Sequence, residues 1–261
     1  MEQESILNKE LTGKHALVTG GAHGIGGAIS NALHQNGAKV TITGRNIKKL
    51  ETLSNKLDGI NTYTLDVCDE NSIKSVFENA INNHGHIDIL VNNAGIADSS
   101  PFLKIDNVRT REIMETNVIS AITCIQAVLP GMIKKNWGRI INISSLAGLK
   151  GQPYIAPYCA SKHALIGLTR SLAAELAKTS ITVNAVCPGY VETEMVAQAI
   201  NSITTNTGRS NKDARTQLEN MSPQNRIIDA KEVAATALWL SKPGSESVTG
   251  QSIALAGGEW M

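Results

Sequence analysis

Tyr158 and Lys162 stand four residues apart in PYCASKHALIGLTRSLAAEL. If that stretch is a helix, both side chains lie on one face, one turn apart. A cation held near a phenol favours the phenolate, so the pair predicts a tyrosine pKa lowered from its ordinary value of about 10. That is the condition for donating and accepting a proton near neutral pH. Ser145, just past the apolar run GRIINIS, brings a hydroxyl to the same spot. A tyrosine and a lysine at this spacing also describe a plain surface pair, so the weight falls on what surrounds them.

Nearer the N-terminus, the apolar run His15 to Thr19 leads into T-G-G-A-H-G-I-G, Thr19 to Gly26, and then into IGGAISNALHQNG with helical periodicity. Strand, glycine-rich turn and helix form the setting in which such a turn binds a dinucleotide. Gly20 permits the sharp turn, Gly24 lets the backbone approach a pyrophosphate, and Gly26 allows close packing of the helix. Thr19, His23 and Ile25 complete the turn, and the free N–H groups of the helix end face the anion.

The second strand, Lys39 to Thr43, ends where an adenosine ribose belongs. An acidic residue there would bind the 2′-hydroxyl and repel a 2′-phosphate. The chain has Gly44-Arg45-Asn46 instead, and Arg45 can pair with a phosphate. NADP(H) is therefore expected over NAD(H).

These elements, with NNAG at Asn92 to Gly95 and CPGYVET after the helix, resemble the short-chain dehydrogenase/reductase family, from about Gly13 to the C-terminus. The stretches GRIINISSLAG and ITVNAVCPGYVETEM are similar to those of its 3-oxoacyl-thioester reductases. The resemblance implies reversible hydride transfer between a nicotinamide and a carbonyl or secondary alcohol. It assigns catalysis to Ser145, 13 residues before Tyr158, to Tyr158 and Lys162, and to Asn117 as the fourth residue, holding a water beside the lysine. Ser144 is left as the structural serine. Asp66 and Val67 border the adenine, Asn93, Ala94 and Gly95 line the cofactor, and Pro188, Gly189, Val191 and Thr193 clamp the carboxamide. Gln152, Tyr154 and Tyr190 are candidate substrate contacts. His23 stands where many NADP-preferring relatives carry arginine, and Ala256 where Asp or Asn is commoner.

Alternating strands and helices predict one α/β domain over residues 1–261, a doubly wound parallel sheet of about seven strands. Residues 13–100 form a cofactor half and 101–261 a catalytic half. Val108 to Ile133 is expected as one long helix. The polar stretch Val196 to Met221 reads as a loop, and in its position it resembles the variable substrate lid of the family, which implies a cover over the pocket. At 261 residues the core needs neither disulfides nor metal. Net charge of +1, with charges scattered, offers no footprint for nucleic acid. The four cysteines form no CxxC pair and the six histidines no ligand spacing, so no metal is expected. No apolar run is read as a membrane span, and MEQESILNKE lacks the pattern of a signal peptide. A cytoplasmic enzyme acting on a small-molecule carbonyl or alcohol is expected, and the resemblance adds a homotetramer.

Overall fold

The structure, a computed structural model, describes residues 9–261; the first eight residues of the polar start lie outside them. Seven short runs rich in Val, Ile and Leu pair side by side: β1 (His15–Thr19), β2 (Lys39–Gly44), β3 (Asn61–Thr64), β4 (Ile89–Asn92), β5 (Gly138–Ile143), β6 (Ile181–Pro188) and β7 (Ser252–Leu255). All are parallel, in the order β3-β2-β1-β4-β5-β6-β7. A parallel sheet is covered on both faces, which is why β1, β4, β5 and β6 are buried throughout rather than alternating. The order reverses between β1 and β4, and the carboxyl ends of the strands beside that reversal are where such sheets bind ligands.

The covering helices are α1 (Gly24–Gln35), α2 (Ile47–Ser54), α3 (Glu70–His84), α4 (Asn107–Met114), α5 (Ser120–Lys135), α6 (Ala156–Glu175), α7 (Glu194–Thr207), α8 (Asn211–Glu219) and α9 (Ala230–Ser241). One core unites Ile29 and Leu33 of α1, Val233, Ala237 and Leu240 of α9 and one face of the sheet. The other joins Ile73 and Phe77 of α3, Cys124 and Val128 of α5 and the opposite face.

Four expectations need correction. The long helix between 108 and 133 is not uniform: a π-helical turn, Glu115–Ile119, separates α4 from α5. Such turns insert a residue and re-aim the side chains around them, and this one contains Asn117. The whole path Asn107–Lys135 is long and apolar enough by composition to cross a membrane, contrary to the expectation that no stretch reaches that length. Here Ile113, Ala121, Cys124, Val128 and Met132 pack inside the fold.

The polar stretch 196–221 is not a loop either. It forms most of α7 and all of α8, with only Val196, Ala214 and Leu218 buried along the two helices. Ser210 starts α8 by accepting from the Asp213 backbone N–H at 3.1 Å, and Gly208 ends the preceding helix at φ +70. Caps and a narrow apolar seam suffice where the overall composition suggested a loop. Finally, the sequence run Asn61 to Val67 reads as the third strand, but β3 stops at Thr64, so Asp66 and Val67 lie beyond it.

Candidate active site

The glycine turn is shaped by backbone. Gly20 and Gly24 hold φ of +62 and +55, the left-handed region that glycine enters without strain. At Gly26, a Cβ would run into the Gly20 carbonyl oxygen and lie 2.5 Å from Asn93 Nδ2. Asn93 Nδ2 donates to the carbonyls of Thr19 and Gly20, each at 3.0 Å. The Thr19 hydroxyl accepts from the backbone N–H groups of Asn93 and Ala94 at 3.0 and 3.1 Å. Thr19 and Asn93, read from the sequence as cofactor contacts, thus tie the turn after β1 to the end of β4. His23 is the extended residue before α1 and makes no side-chain cap bond, which leaves the helix N–H groups for an anion.

Past β2, Arg45 is exposed and lines a cavity of ≈ 480 Å³ with Asp66, Cys68, Ile96, Arg109, Arg111, Glu112, Glu115 and Thr116. Asp66 also accepts from the Cys68 backbone N–H at 3.0 Å, which fixes the turn after β3. This cavity lies at the adenosine end of the groove, not over Tyr158. The contribution of α4 to it, through Arg109 and Arg111, has no motif in the sequence and follows only from the packing of that helix. Left-handed glycines and a helix start with free donors are what a dinucleotide phosphate needs, exposed Arg45 past β2 adds a cation, and the residues fit it.

The candidate catalytic residues Tyr158 and Lys162 sit on α6. Pro157 falls in its first turn, where no N–H is lost. Cys159, Lys162, Leu165, Ile166, Thr169 and Ala173 repeat on its buried face. A buried chain of side-chain bonds sets the height of this helix on the sheet: Asn92 Nδ2 donates to Asn142 Oδ1, and Asn142 Nδ2 to Thr169 Oγ1, both at 2.9 Å. Ser144 Oγ donates to the Lys162 carbonyl at 3.1 Å, so Ser144 is structural as expected. Gly148 lets the turn after Ser145 press on α6, since a Cβ there would lie 2.7 Å from the Lys162 carbonyl oxygen. Ser145 itself is extended and accepts from the Ala147 N–H at 3.1 Å.

Lys162 is 4% exposed, and its Nζ donates to the Ile143 carbonyl at 2.9 Å. One of its three donors is used there. The ammonium stands 5.6 Å from the centre of the Tyr158 ring. Burial pushes the lysine down to about 8 and the Tyr158 hydroxyl up to about 12, the latter opposed by the Ser145 hydroxyl. The expected lowering of Tyr158 by its neighbour is therefore absent from the protein alone. At this distance, desolvation of the phenolate outweighs a cation that is itself desolvated.

Asn117 is buried and fully partnered. Its Oδ1 accepts from the Ile96 N–H at 2.9 Å, and its Nδ2 donates to the Ile96 carbonyl at 2.9 Å and to Ser161 Oγ at 3.0 Å. It pins the segment after β4 to α6. A Cβ on Gly95 would lie 3.2 Å from Asn117 Oδ1 and 3.5 Å from Lys162 Nζ, so these three residues meet.

On the far side, Pro188 ends β6 and the Gly189 N–H donates to the Leu255 carbonyl at 2.9 Å. Val191 is buried, and Thr193 Oγ1 donates to its carbonyl at 3.1 Å. Tyr190 is half-buried and its hydroxyl is raised by burial, with the carboxylate of Glu259 adding to the rise. The Glu259 side chain is nearly buried and pairs with Lys150 at 2.9 Å, so the C-terminal tail closes this side. Gln152 is half-buried. Tyr154 is exposed at φ +68, and its carbonyl accepts from the Ser100 N–H at 2.7 Å. A strained non-glycine residue beside a catalytic helix draws attention to that loop, and nothing in its residue type announced it.

A glycine turn for a dinucleotide and a Ser-Tyr-Lys set at the carboxyl edge of one doubly wound sheet define an NAD(P)-dependent oxidoreductase. A family model described as short chain dehydrogenase matches residues 14–203, and the chain belongs to that family. It is 37% identical over 252 residues to the 3-oxoacyl-[acyl-carrier-protein] reductase FabG of Vibrio cholerae, covering 96% of this chain and 99% of that protein. It is 36% identical over 253 residues to Nodulation protein G of Rhizobium meliloti, covering 97% and 99%. A solved structure of an actinorhodin polyketide ketoreductase variant with NADPH superposes with a TM-score of 0.92 at 34% identity, covering 94% of this chain and 97% of that one.

Proposed function

We propose that the chain is an NADP(H)-dependent reductase of ketones or 3-oxoacyl thioesters, with Tyr158 as the general acid. The observation that carries this reading is the meeting of Ser145, Tyr158, Lys162 and Asn117 beside the glycine turn. The relatives described as 3-oxoacyl-[acyl-carrier-protein] reductases, and the ketoreductase described with NADPH, support the substrate class and the cofactor. When bound, the nicotinamide supplies or accepts the hydride.

Ser145 Oγ hydrogen-bonds the substrate carbonyl oxygen and fixes its position. Tyr158 gives that oxygen its proton. Lys162, with donors left beyond Ile143, binds the nicotinamide ribose and adds positive charge behind the phenol. A phenol at about 12 is a poor source of a phenolate in the reverse direction. The working tyrosine is therefore the one that also feels the positive oxidised ring. Asn117 holds the segment through Ile96 and continues the proton path. The glycine turn with Ile25 and Gly26 receives the pyrophosphate, Arg45 the 2′-phosphate, and Asp66, Val67, Ala94 and Gly95 the adenosine side. Pro188, Gly189, Val191 and Thr193 take the carboxamide, and Gln152 and Tyr190 the substrate.

Residues 13–100 serve the cofactor and 101–261 catalysis, with α7 and α8 over the substrate. Exposed Val108, Ile119 and Ile133 on the α4–α5 path and Trp239 on α9 support self-association, and the homotetramer that the family resemblance implies is tested by light scattering on purified protein.

Oxidation of NADPH and NADH over a panel of ketones and 3-oxoacyl thioesters tests the reading. Turnover is expected with NADPH on at least one of the two classes. A clear preference for NADH would reject the role given to Arg45, and cofactor binding without any reduction would favour a nicotinamide-binding regulator.

A further inference from the structure

The two walls of the cofactor groove are joined by an ion pair. Lys49 Nζ, in the first turn of α2, donates to both carboxylate oxygens of Glu194 at 2.6 and 2.7 Å, and Glu194 is the first residue of α7. These helices follow β2 and β6, the second and sixth strands of the sheet. Four strand spacings separate them, roughly 19 Å. The contact therefore passes over the glycine turn between them. That turn reaches the same wall: a Cβ on Gly24 would lie 3.2 Å from Thr193 Cγ2.

Both partners are pre-set for the contact. The Lys49 backbone N–H is held by Asn46 Oδ1 at 3.1 Å, which orients the start of α2. Glu194 sits at a helix N-terminus, where a carboxylate is favoured. The hydrogen bond and charge of Lys49, then the charge of His23, hold the Glu194 carboxyl below its ordinary range. Lys49 is part-shielded and Glu194 is open to solvent. An exposed pair of this kind contributes little to folding. Its position gives it another use.

We infer that Lys49 and Glu194 form a clasp across the groove, an ion pair that closes over a bound dinucleotide and opens for it to enter and leave. The inference rests on the reading of this groove as the dinucleotide site. The clasp acts on the escape of the cofactor and not on its chemistry, so Lys49 and Glu194 are positioning residues. It joins the ribose end of the groove to the helix that covers the substrate, and so couples cofactor exchange to the placing of α7.

The test is NADPH and NADH dissociation followed by stopped-flow nicotinamide fluorescence, with equilibrium Kd, for wild type, Lys49→Met, Glu194→Gln, the double variant and the swap Lys49→Glu/Glu194→Lys. A clasp predicts that each single change speeds release of both cofactors by about two- to five-fold. The double variant should be no faster than either single one, and the swap should recover slow release. High salt should speed the wild type towards the variants. Faster release in Lys49→Met alone, and with NADPH alone, would make Lys49 a direct phosphate contact and overturn the clasp. Unchanged release in both single variants would overturn it while leaving the dinucleotide site in place. Absence of NADPH and NADH binding by the wild type would instead remove the reading on which the clasp stands.

Discussion

The two sides of the groove hold their shape by different means. On the cofactor side, around Gly20, Gly24, Gly26 and Asn93, the form is set by backbone torsion and by contacts too close for a methyl group. On the substrate side, α7 and α8 bury three side chains between them. Surface ion pairs tie them down: Arg215 of α8 with Glu192, and Glu194 of α7 with Lys49. A side fixed by main-chain geometry admits one ligand shape. A side held by exposed charges can be re-set at small cost.

The largest effect that sharpens this contrast is on chemistry rather than shape. Lys162→Met removes the cation behind Tyr158, and kcat at saturating NADPH should fall by about 10²- to 10⁴-fold. Steady-state rates on any ketone the wild type reduces check it.

Next, Arg45→Ala should weaken NADPH binding by about ten-fold or more, the loss of one charged hydrogen bond, and leave NADH unchanged. Fluorescence titration with the two cofactors reads the difference.

Gly26→Ala breaks the rigid side directly. Overpacking against the Gly20 carbonyl and Asn93 should cost about 1–3 kcal/mol, seen by calorimetry as a melting temperature lower by about 2–4 °C per kcal/mol. Thr207→Ala, on the exposed side of the groove, loses a bond to the Ile203 carbonyl of its own helix and a long one accepted from the Arg209 N–H. It should stay within about 0.5 kcal/mol of wild type. Equal costs at the two positions would erase the distinction between the sides.

A further effect is a pH dependence. Lys162 binds its proton less tightly folded, near 8, than unfolded, near 10.5. Between those values the unfolded chain carries more protons, so stability of the cofactor-free protein should rise with pH from about 8 towards 10.5. Above about 10 the Tyr158 shift acts the other way, because the unfolded phenol ionises first. Urea unfolding from pH 7.5 to 9.5 should show the rise in wild type and lose it in Lys162→Met.

What the sequence disclosed follows the same division. Glycine positions, apolar strands and the Tyr158–Lys162 spacing are local properties, so the sheet, the turn and the catalytic helix were legible. Ser144 and Ser145 were told apart by the family resemblance, and the structure gives Ser144 a bond to the Lys162 carbonyl. The π-helical turn at Asn117 was not legible, because its residues have ordinary helical preferences and the extra residue is accommodated by packing. The helices within 196–221 were hidden by polar composition, since caps at Ser210 and Gly208 and three buried contacts do the work that an apolar face does elsewhere. The Tyr158 shift was misjudged because charge proximity is visible in spacing while desolvation is visible only in the fold. The clasp joins residues 145 positions apart and left no local trace.

The central claim is that Tyr158 delivers the proton as hydride arrives. Single-turnover oxidation of enzyme-bound NADPH, with a saturating ketone or 3-oxoacyl thioester, tests it in wild type and Tyr158→Phe. The account predicts NADPH bound equally well by both and hydride transfer slowed at least 10²-fold in the variant. Transfer at the wild-type rate in Tyr158→Phe would contradict it.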